Sequence, residues 1–351
     1  MKVGYPHRIT AVTAAVAAIT VISACSSSSS TTTSSSGTAS AASTASSLQQ
    51  VQVMEFPGQS YRLPVGIAEQ EGFFTKNGIK VSIVAQPNNL EGAQAMIATH
   101  SQVGILATST LTQGAEAGEP VAFFCGGISV LQTELIAAKG SSLPSTSDGA
   151  SSQDVLKALN GKKIGVQTPV GSGLQLLFAA ALKAAGVTNV TYVNLGGGNN
   201  LVLSALKSGS VDVAQVNPPG TQELEAAGEV KPLLYMPDGS ATYQLYGSGW
   251  TGQTSWLKSD PSAARGFCNA LTEALAFIKN PANLSTSASA LATDTGLTQS
   301  VAKLVVQQGY ADFSTSLSQS VLTKTFEFYS QIGIAKSNTA SQYTTLVQPA
   351  S

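Results

Sequence analysis

The sequence predicts an α/β protein of two similar lobes, each a sheet flanked by helices. Three observations carry that expectation. From residue 51 onward, short runs with the twofold rhythm of strands alternate with runs at helical spacing, the order of a sheet covered by helices. After a polar stretch at 140–152 the same alternation starts again near residue 163. The chain is also long enough: 351 residues, 43% of them hydrophobic, suffice for about two domains at roughly 150 residues each.

A first strand is expected at 51–54 and a helix at 60–70, where Leu63, Ile67 and Gln70 recur about once per turn. Alternating apolar residues mark a strand at Ile79–Ala85. A helix follows at 90–99, with Ala93, Met96 and Ile97 on one face. Then come a strand at Val103–Ala107, a helix around 111–117 and a buried strand at 121–124. The second round opens with a strand at 163–167 and a turn at 169–173. Leu174, Leu177, Phe178, Ala181, Leu182 and Ala185 then fall at i, i+3, i+4, i+7, i+8 and i+11, a helical stripe that Gly186 ends. A strand at 191–195, a helix at 201–207 and a strand at 211–216 complete this round. The rounds echo each other in pattern rather than identity: Asn88-Asn89 precedes the helix of the first, Asn199-Asn200 that of the second. Beyond Pro261 the chain reads as mostly helical, at 263–279, 287–292, 300–309 and 322–332.

The N-terminus has a different character. Lys2 and Arg8 precede an uncharged run at 9–22, which stops at Ser23-Ala24-Cys25. Basic residues, an apolar stretch and small residues before a cut are the parts of an export signal, here 1–24. Val21-Ile22-Ser23-Ala24-Cys25 resembles the bacterial lipobox, with Ile22 in place of the usual Leu. That makes Cys25 the expected lipidation site; the plainer alternative is a secretory signal with an incidental cysteine. Residues 25–48 are rich in Ser, Thr and Ala and, up to Ser47, lack bulky apolar side chains. They cannot bury enough surface to offset ordering, so they read as a flexible tether. In an exported chain Cys125 and Cys268 can persist as a disulfide. Two buried free thiols are the other reading.

Composition narrows the function classes. A net charge of −1, with 11% charged residues, offers no field to attract nucleic acid. No run after residue 25 reaches the ~18 apolar residues of a membrane helix. His7 and His100 are the sequence's histidines, and His7 falls in the export signal. With no Cys-x-x-Cys and no His-Glu-x-x-His, no catalytic residue, metal site or cofactor is expected. Gly171-Ser172-Gly173 lacks the lysine of a phosphate loop, and Gly196-Gly197-Gly198 lacks the dinucleotide fingerprint.

Ligands of open α/β sheets sit beyond the carboxyl ends of strands. The residues at those exits are Gln59, Ser60 and Tyr61; Thr108 and Ser109; Gly127; Thr168 and Ser172; Gly198; and Asn217. Nearly all carry hydroxyls or amides or are glycines, which suits a hydrogen-bonding cleft for a small molecule.

A further pattern sharpens this reading. Gly66-Ile67-Ala68-Glu69-Gln70-Glu71-Gly72-Phe73-Phe74, followed by Asn77-Gly78-Ile79-Lys80-Val81, resembles the A-x-E-x-G-F-F-x-x-x-G-I-x-V motif of the sulfonate, nitrate, taurine and thiamine-pyrimidine binding proteins. Gln70 stands where that family usually has Glu. The run 159–166 resembles the family's L-K-G-K-K-I-G-V, and 207–214 its G-x-V-D-A strand, with Val213 for Ala. Asn280-Pro281-Ala282 and Thr295-Gly296-Leu297 are similar to its late helical part. The resemblance implies a type II periplasmic-binding fold, two lobes joined by two crossover segments: 49–138 and a mostly helical return at 246–345 for the first, 139–245 for the second. It places Gln59, Ser60, Tyr61, Thr108, Ser109, Ser172 and Asn217 at the cleft. It implies a monomeric solute receptor of an ABC importer, outside the cytoplasm and held to the membrane by its lipid, closing on a small organic molecule and handing it to a permease driven by an ATPase. The rival readings are a lipid-anchored sensory receptor and a secreted hydrolase on a similar scaffold. Small-anion receptors often contact their ligand through Arg or Lys, whereas here Arg62 is the nearest candidate. The expected solute is therefore larger and largely neutral or aromatic, stacked on Tyr61, Tyr246 or Trp250.

Overall fold

The computed structural model describes residues 48–55, 58–85, 92–196, 198–239, 243–335 and 346–350. The export signal at 1–24, the lipidation site Cys25, nearly all of the tether and the Asn88-Asn89 turn lie outside the described residues.

The strands in chain order are β1 (Gln49–Glu55), β2 (Ile79–Ala85), β3 (Val103–Ala107), β4 (Val121–Ile128), β5 (Glu134–Ala138), β6 (Lys163–Val166), β7 (Thr191–Asn194), β8 (Val213–Val216), β9 (Val230–Tyr235) and β10 (Ser248–Gln253). They form two five-stranded sheets, ordered β2-β1-β3-β10-β4 and β7-β6-β8-β5-β9. The two orders are equivalent position for position. In each sheet the first three strands are parallel, and the fourth runs antiparallel to both neighbours. That antiparallel strand is the one arriving directly from the other lobe. The chain is thus a two-lobed α/β protein of the type II periplasmic-binding architecture, crossing between its sheets at 129–133 and again at 236–247.

The sheets are covered on both faces, as parallel strands require. Val51, Val53 and Met54 of β1 are fully buried although neighbouring side chains point to opposite faces. In β5, Leu135 and Ala137 enter one hydrophobic cluster and Ile136 another. The helical stripe read at 174–185 forms the helix Gly173–Ala184, and Phe178, Ala181 and Leu182 are buried against the second sheet. The helix Pro261–Lys279 starts with Pro at its first turn, where the missing N–H costs nothing. It packs Phe267 against Phe74 and Trp250, at ring separations of 5.5 and 5.1 Å. The late helical part therefore returns to the first lobe's core. Cys125 of β4 and Cys268 of this helix are joined by a disulfide, with Cα atoms 5.7 Å apart.

Several elements differ from the sequence reading. The polar stretch 140–152 consists of turns and a short 3-10 turn at Thr146–Asp148 within the second lobe; β5, although it falls in the range 49–138 assigned to the first lobe, hydrogen-bonds to β8 and β9. The strand read at 121–124 runs on through Gly126 and Gly127 to Ile128. Glycine is needed there because a Cβ on Gly126 would run into the carbonyl oxygen of Ser314. β5, β9, β10 and the helices Ser152–Lys157, Gly220–Ala226 and Thr254–Ser259 went unread.

Candidate ligand-binding cleft

A cavity of about 190 Å3 lies where both lobes and both crossovers meet. Each wall has a local cause. After β1, a short 3-10 turn at Ser60–Arg62 is closed by the Arg62 N–H donating to Gln59 O (3.3 Å). The Tyr310 hydroxyl donates to Ser60 O and fixes the turn to the C-terminal part of the chain. This presents Gln59, Ser60 and Tyr61 to the cavity. After β3, the helix Thr108–Glu116 begins abruptly from the extended residue Ala107. Thr108 is fully buried: its hydroxyl donates to Tyr246 O (2.8 Å) and its N–H to Gly247 O (2.9 Å). It pins the returning crossover and leaves Ser109, one residue on, to line the cavity.

The second lobe contributes Leu174 and Leu177 from the helix Gly173–Ala184, and Asn217 and Pro218 beyond β8. Asn217 is oriented by the crossover, because its Oδ1 accepts from the Thr133 hydroxyl (2.7 Å). The crossovers supply Leu131, Gln132, Thr133 and Gly247, the adjoining strand ends supply Ile128 of β4 and Ser248 of β10, and Tyr329 arrives from the helix Gln319–Gln331. Burial pushes the Tyr329 phenol up, so it stays neutral. Among the described lining residues none is Asp, Glu, His, Lys or Arg.

Of the residues singled out by sequence, the cavity gathers Gln59, Ser60, Tyr61, Ser109 and Asn217. Thr108 is the pin just described. Gly127 sits in the β4–β10 pairing; its N–H donates to the Tyr246 hydroxyl (3.3 Å), and a Cβ there would meet Ser248 O at 2.8 Å. Thr168 and Ser172 bond to each other (2.9 Å) at the start of the helix Gly173–Ala184. Gly198 is an exposed N-cap. None of these five lines the cavity. The lobes still approach each other beside Ser172: a Cβ on Gly173 would lie 3.0 Å from the Cβ of Ser109.

Arg62 does not bring its charge to the cleft. It pairs with Glu55 (3.3 Å) and Asp294 (3.4 Å) and lines a separate surface depression. Tyr246 and Trp250 are core residues, 1% and 2% exposed and packed on Phe123 and Phe267 respectively. Sequence reasoning missed the crossover walls and Tyr329. Leu174 and Leu177 were legible only as members of an apolar helical stripe.

The family model described as NMT1/THI5 like matches residues 59–283. The alkanesulfonate-binding protein SsuA from Xanthomonas axonopodis pv. citri, bound to MOPS, superposes with a TM-score of 0.65 at 17% identity, covering 87% of this chain and 100% of that one. The periplasmic aliphatic sulphonate-binding protein SsuA from Escherichia coli gives 0.68 at 16% identity, over 86% and 92%. The periplasmic nitrate-binding protein NrtA from Synechocystis PCC 6803 gives 0.66 at 13% identity, over 86% of each. Comparison with curated protein sequences gives no match. At these identities the superpositions speak for the fold, while the family model spans well over half of the sequence: the chain belongs to the NMT1/THI5-like family.

Proposed function

We propose that the protein is an extracytoplasmic solute receptor of an ABC importer, anchored through Cys25, that closes its two lobes on a small, largely neutral organic molecule. The observation that carries this reading is the uncharged cavity walled by both lobes and both crossovers. A solute touched from both sides stabilises the closed arrangement over the open one, since only the closed one collects both sets of contacts. That difference is what a permease can recognise, and no chemical bond changes.

The walls also describe the solute. Ile128, Leu131, Leu174 and Leu177 offer an apolar side. Gln59, Ser109, Gln132 and Asn217 offer hydrogen bonds without charge. About 190 Å3 corresponds to roughly six water volumes at ~30 Å3 each. This favours a compact molecule over the larger aromatic one expected from sequence. Names such as sulphonate- or nitrate-binding belong to relatives of the fold; here the absence of a cationic side chain from the described walls favours a neutral solute.

A thermal-shift screen of small amides, alcohols, pyrimidines, sulfonates and nitrate tests the reading. The true solute at about 100 times its Kd adds roughly 2.7 kcal/mol to folding stability. Tyr61→Ala should weaken its capture at least tenfold, about 1.4 kcal/mol, by removing one aromatic wall. A sulfonate or nitrate as sole hit would overturn the neutral-solute reading, and turnover of a screened compound would overturn the receptor reading. Labelled fatty acid should be incorporated by the wild type and not by Cys25→Ala.

A further inference from the structure

A second cavity, of about 260 Å3, lies beyond the first crossover, between the second lobe and the helix Gln299–Gly309. It shares Gln132, Thr133 and Pro218 with the cleft but is otherwise built from different residues. Thr221 and Gln222, only 1% and 6% exposed, line it. Among the described residues, Thr221 Oγ1 and Gln222 Oε1 have no hydrogen-bond partner, although the Gln222 amide nitrogen donates across the lobes to Gln308 Oε1 (3.3 Å). Buried polar atoms in this condition are costly unless something meets them.

The charges of this cavity have one sign. Glu134 of β5 and Glu225 of the helix Gly220–Ala226 both line it. Burial and their like charge favour keeping a proton on Glu134. Tyr235 of β9 lines the same space and donates to Asp312 Oδ2 (3.0 Å). Gln308 and Gly309 close the remaining wall, and among the described lining residues there is no Lys, Arg or His. An acceptor oxygen, a hydroxyl and two carboxyls therefore converge without a cation.

We infer that this second cavity is a binding site for an organic cation that donates hydrogen bonds, an ammonium or amidinium group. The group would displace the proton held there, pair with Glu134 and Glu225 and donate to Gln222 Oε1. Water could satisfy the lone oxygens but brings no charge that would let both carboxyls ionise. A bare divalent ion seeks six or more oxygens at close range, whereas about 260 Å3 holds roughly nine water volumes. Without a cation, burial holds the Glu134 carboxyl above its ordinary range, and the charge and hydrogen bond of Glu225 add to this; burial raises Glu225 as well. Tyr235, raised by burial and then by Asp312, stays neutral. Cation binding should thus release a proton and strengthen as pH rises.

The two cavities share three wall residues but are probed with chemically different ligands, so the two readings fail separately. The test uses the full chain with n-butylammonium, uncharged n-butanol and calcium chloride, followed by ligand-observed NMR and calorimetry. The proposal expects n-butylammonium to bind, n-butanol not to, affinity at pH 8.5 at least tenfold above that at pH 5.5, and proton release visible in buffers of different ionisation enthalpy. Glu134→Gln/Glu225→Gln should lose at least tenfold in affinity for n-butylammonium; Thr221→Val, with the carboxylates intact, should lose less. Unchanged binding in the double variant, pH-independent binding, binding of calcium alone, or no binding of n-butylammonium by the folded wild type would each overturn it.

Discussion

Glu55 shows how a single side chain couples this fold to pH. It ends β1, is 1% exposed and faces Arg62 at 3.3 Å. Burial nonetheless pushes its carboxyl up to about 8, because desolvation outweighs the attraction of Arg62, and Glu69 and Asp294 add to the rise. The native state then holds this proton more tightly than the unfolded chain does. Its contribution to stability is full below the ordinary carboxylate range and is lost as pH rises towards about 8. Between pH 5 and 8 the loss is roughly 3 kcal/mol, from at most ~1.4 kcal/mol per pH unit. Glu55→Gln should flatten that decline while Asp294 keeps Arg62 paired; parallel urea midpoints for both proteins across this range would contradict it. The same scale explains which site residues could be read from sequence. Polar residues just past a strand are visible as a class, but whether one turns to the cavity or to its own backbone is decided one residue at a time. Ser109 faces the cavity and Thr108 is consumed by two hydrogen bonds to the crossover.

At the scale of elements, legibility followed composition. The parallel strands and their covering helices are apolar and regularly spaced, so β1, β2 and β3 and the stripe of Gly173–Ala184 were readable. β10 was not, since Ser248–Gln253 contains two glycines and no Val, Ile or Leu. The glycines have a packing cause that only the sheet reveals: a Cβ on Gly249 would lie 2.8 Å from the Phe123 ring. β4 carries a second tie, the disulfide from Cys125 to Cys268 across 143 residues of sequence. Closing so long a loop restricts the unfolded chain, so Cys125→Ser/Cys268→Ser should lower stability by about 2–5 kcal/mol. Gly126→Ala should also destabilise, through overpacking against Ser314 and Ser316, by about 1–3 kcal/mol. Denaturation of both variants without ligand checks this, and a wild-type midpoint for Gly126→Ala would mean the 314–316 loop yields freely.

At the scale of the molecule, the two equivalent sheets would be free to move about their crossovers were it not for contacts between the lobes. The most apolar of these joins Leu177 of the second lobe to Leu245 of the returning crossover and to Tyr329, Ile334 and Ala335 at the end of the chain. Ile334 is 4% exposed and does not line the cleft. It nevertheless reaches the lobe boundary, lying 3.5 Å from where a Cβ on Gly173 would be. Contacts of this kind exist only while the lobes are together, so they lower the free energy of the closed form whether or not solute is present. Ile334→Ala removes part of that contribution, out of a total truncation cost of about 2–5 kcal/mol for a buried Ile. Because apparent affinity scales with the fraction of molecules able to close, solute should bind about five- to tenfold more weakly, with no cavity-lining residue altered. Small-angle scattering of the solute-free protein should show a larger radius of gyration for the variant, and saturating solute should bring the two proteins back together. Equal affinity and equal dimensions with and without solute would mean that the lobes hold their relation by the crossovers alone, and that recognition of the solute does not run through closure.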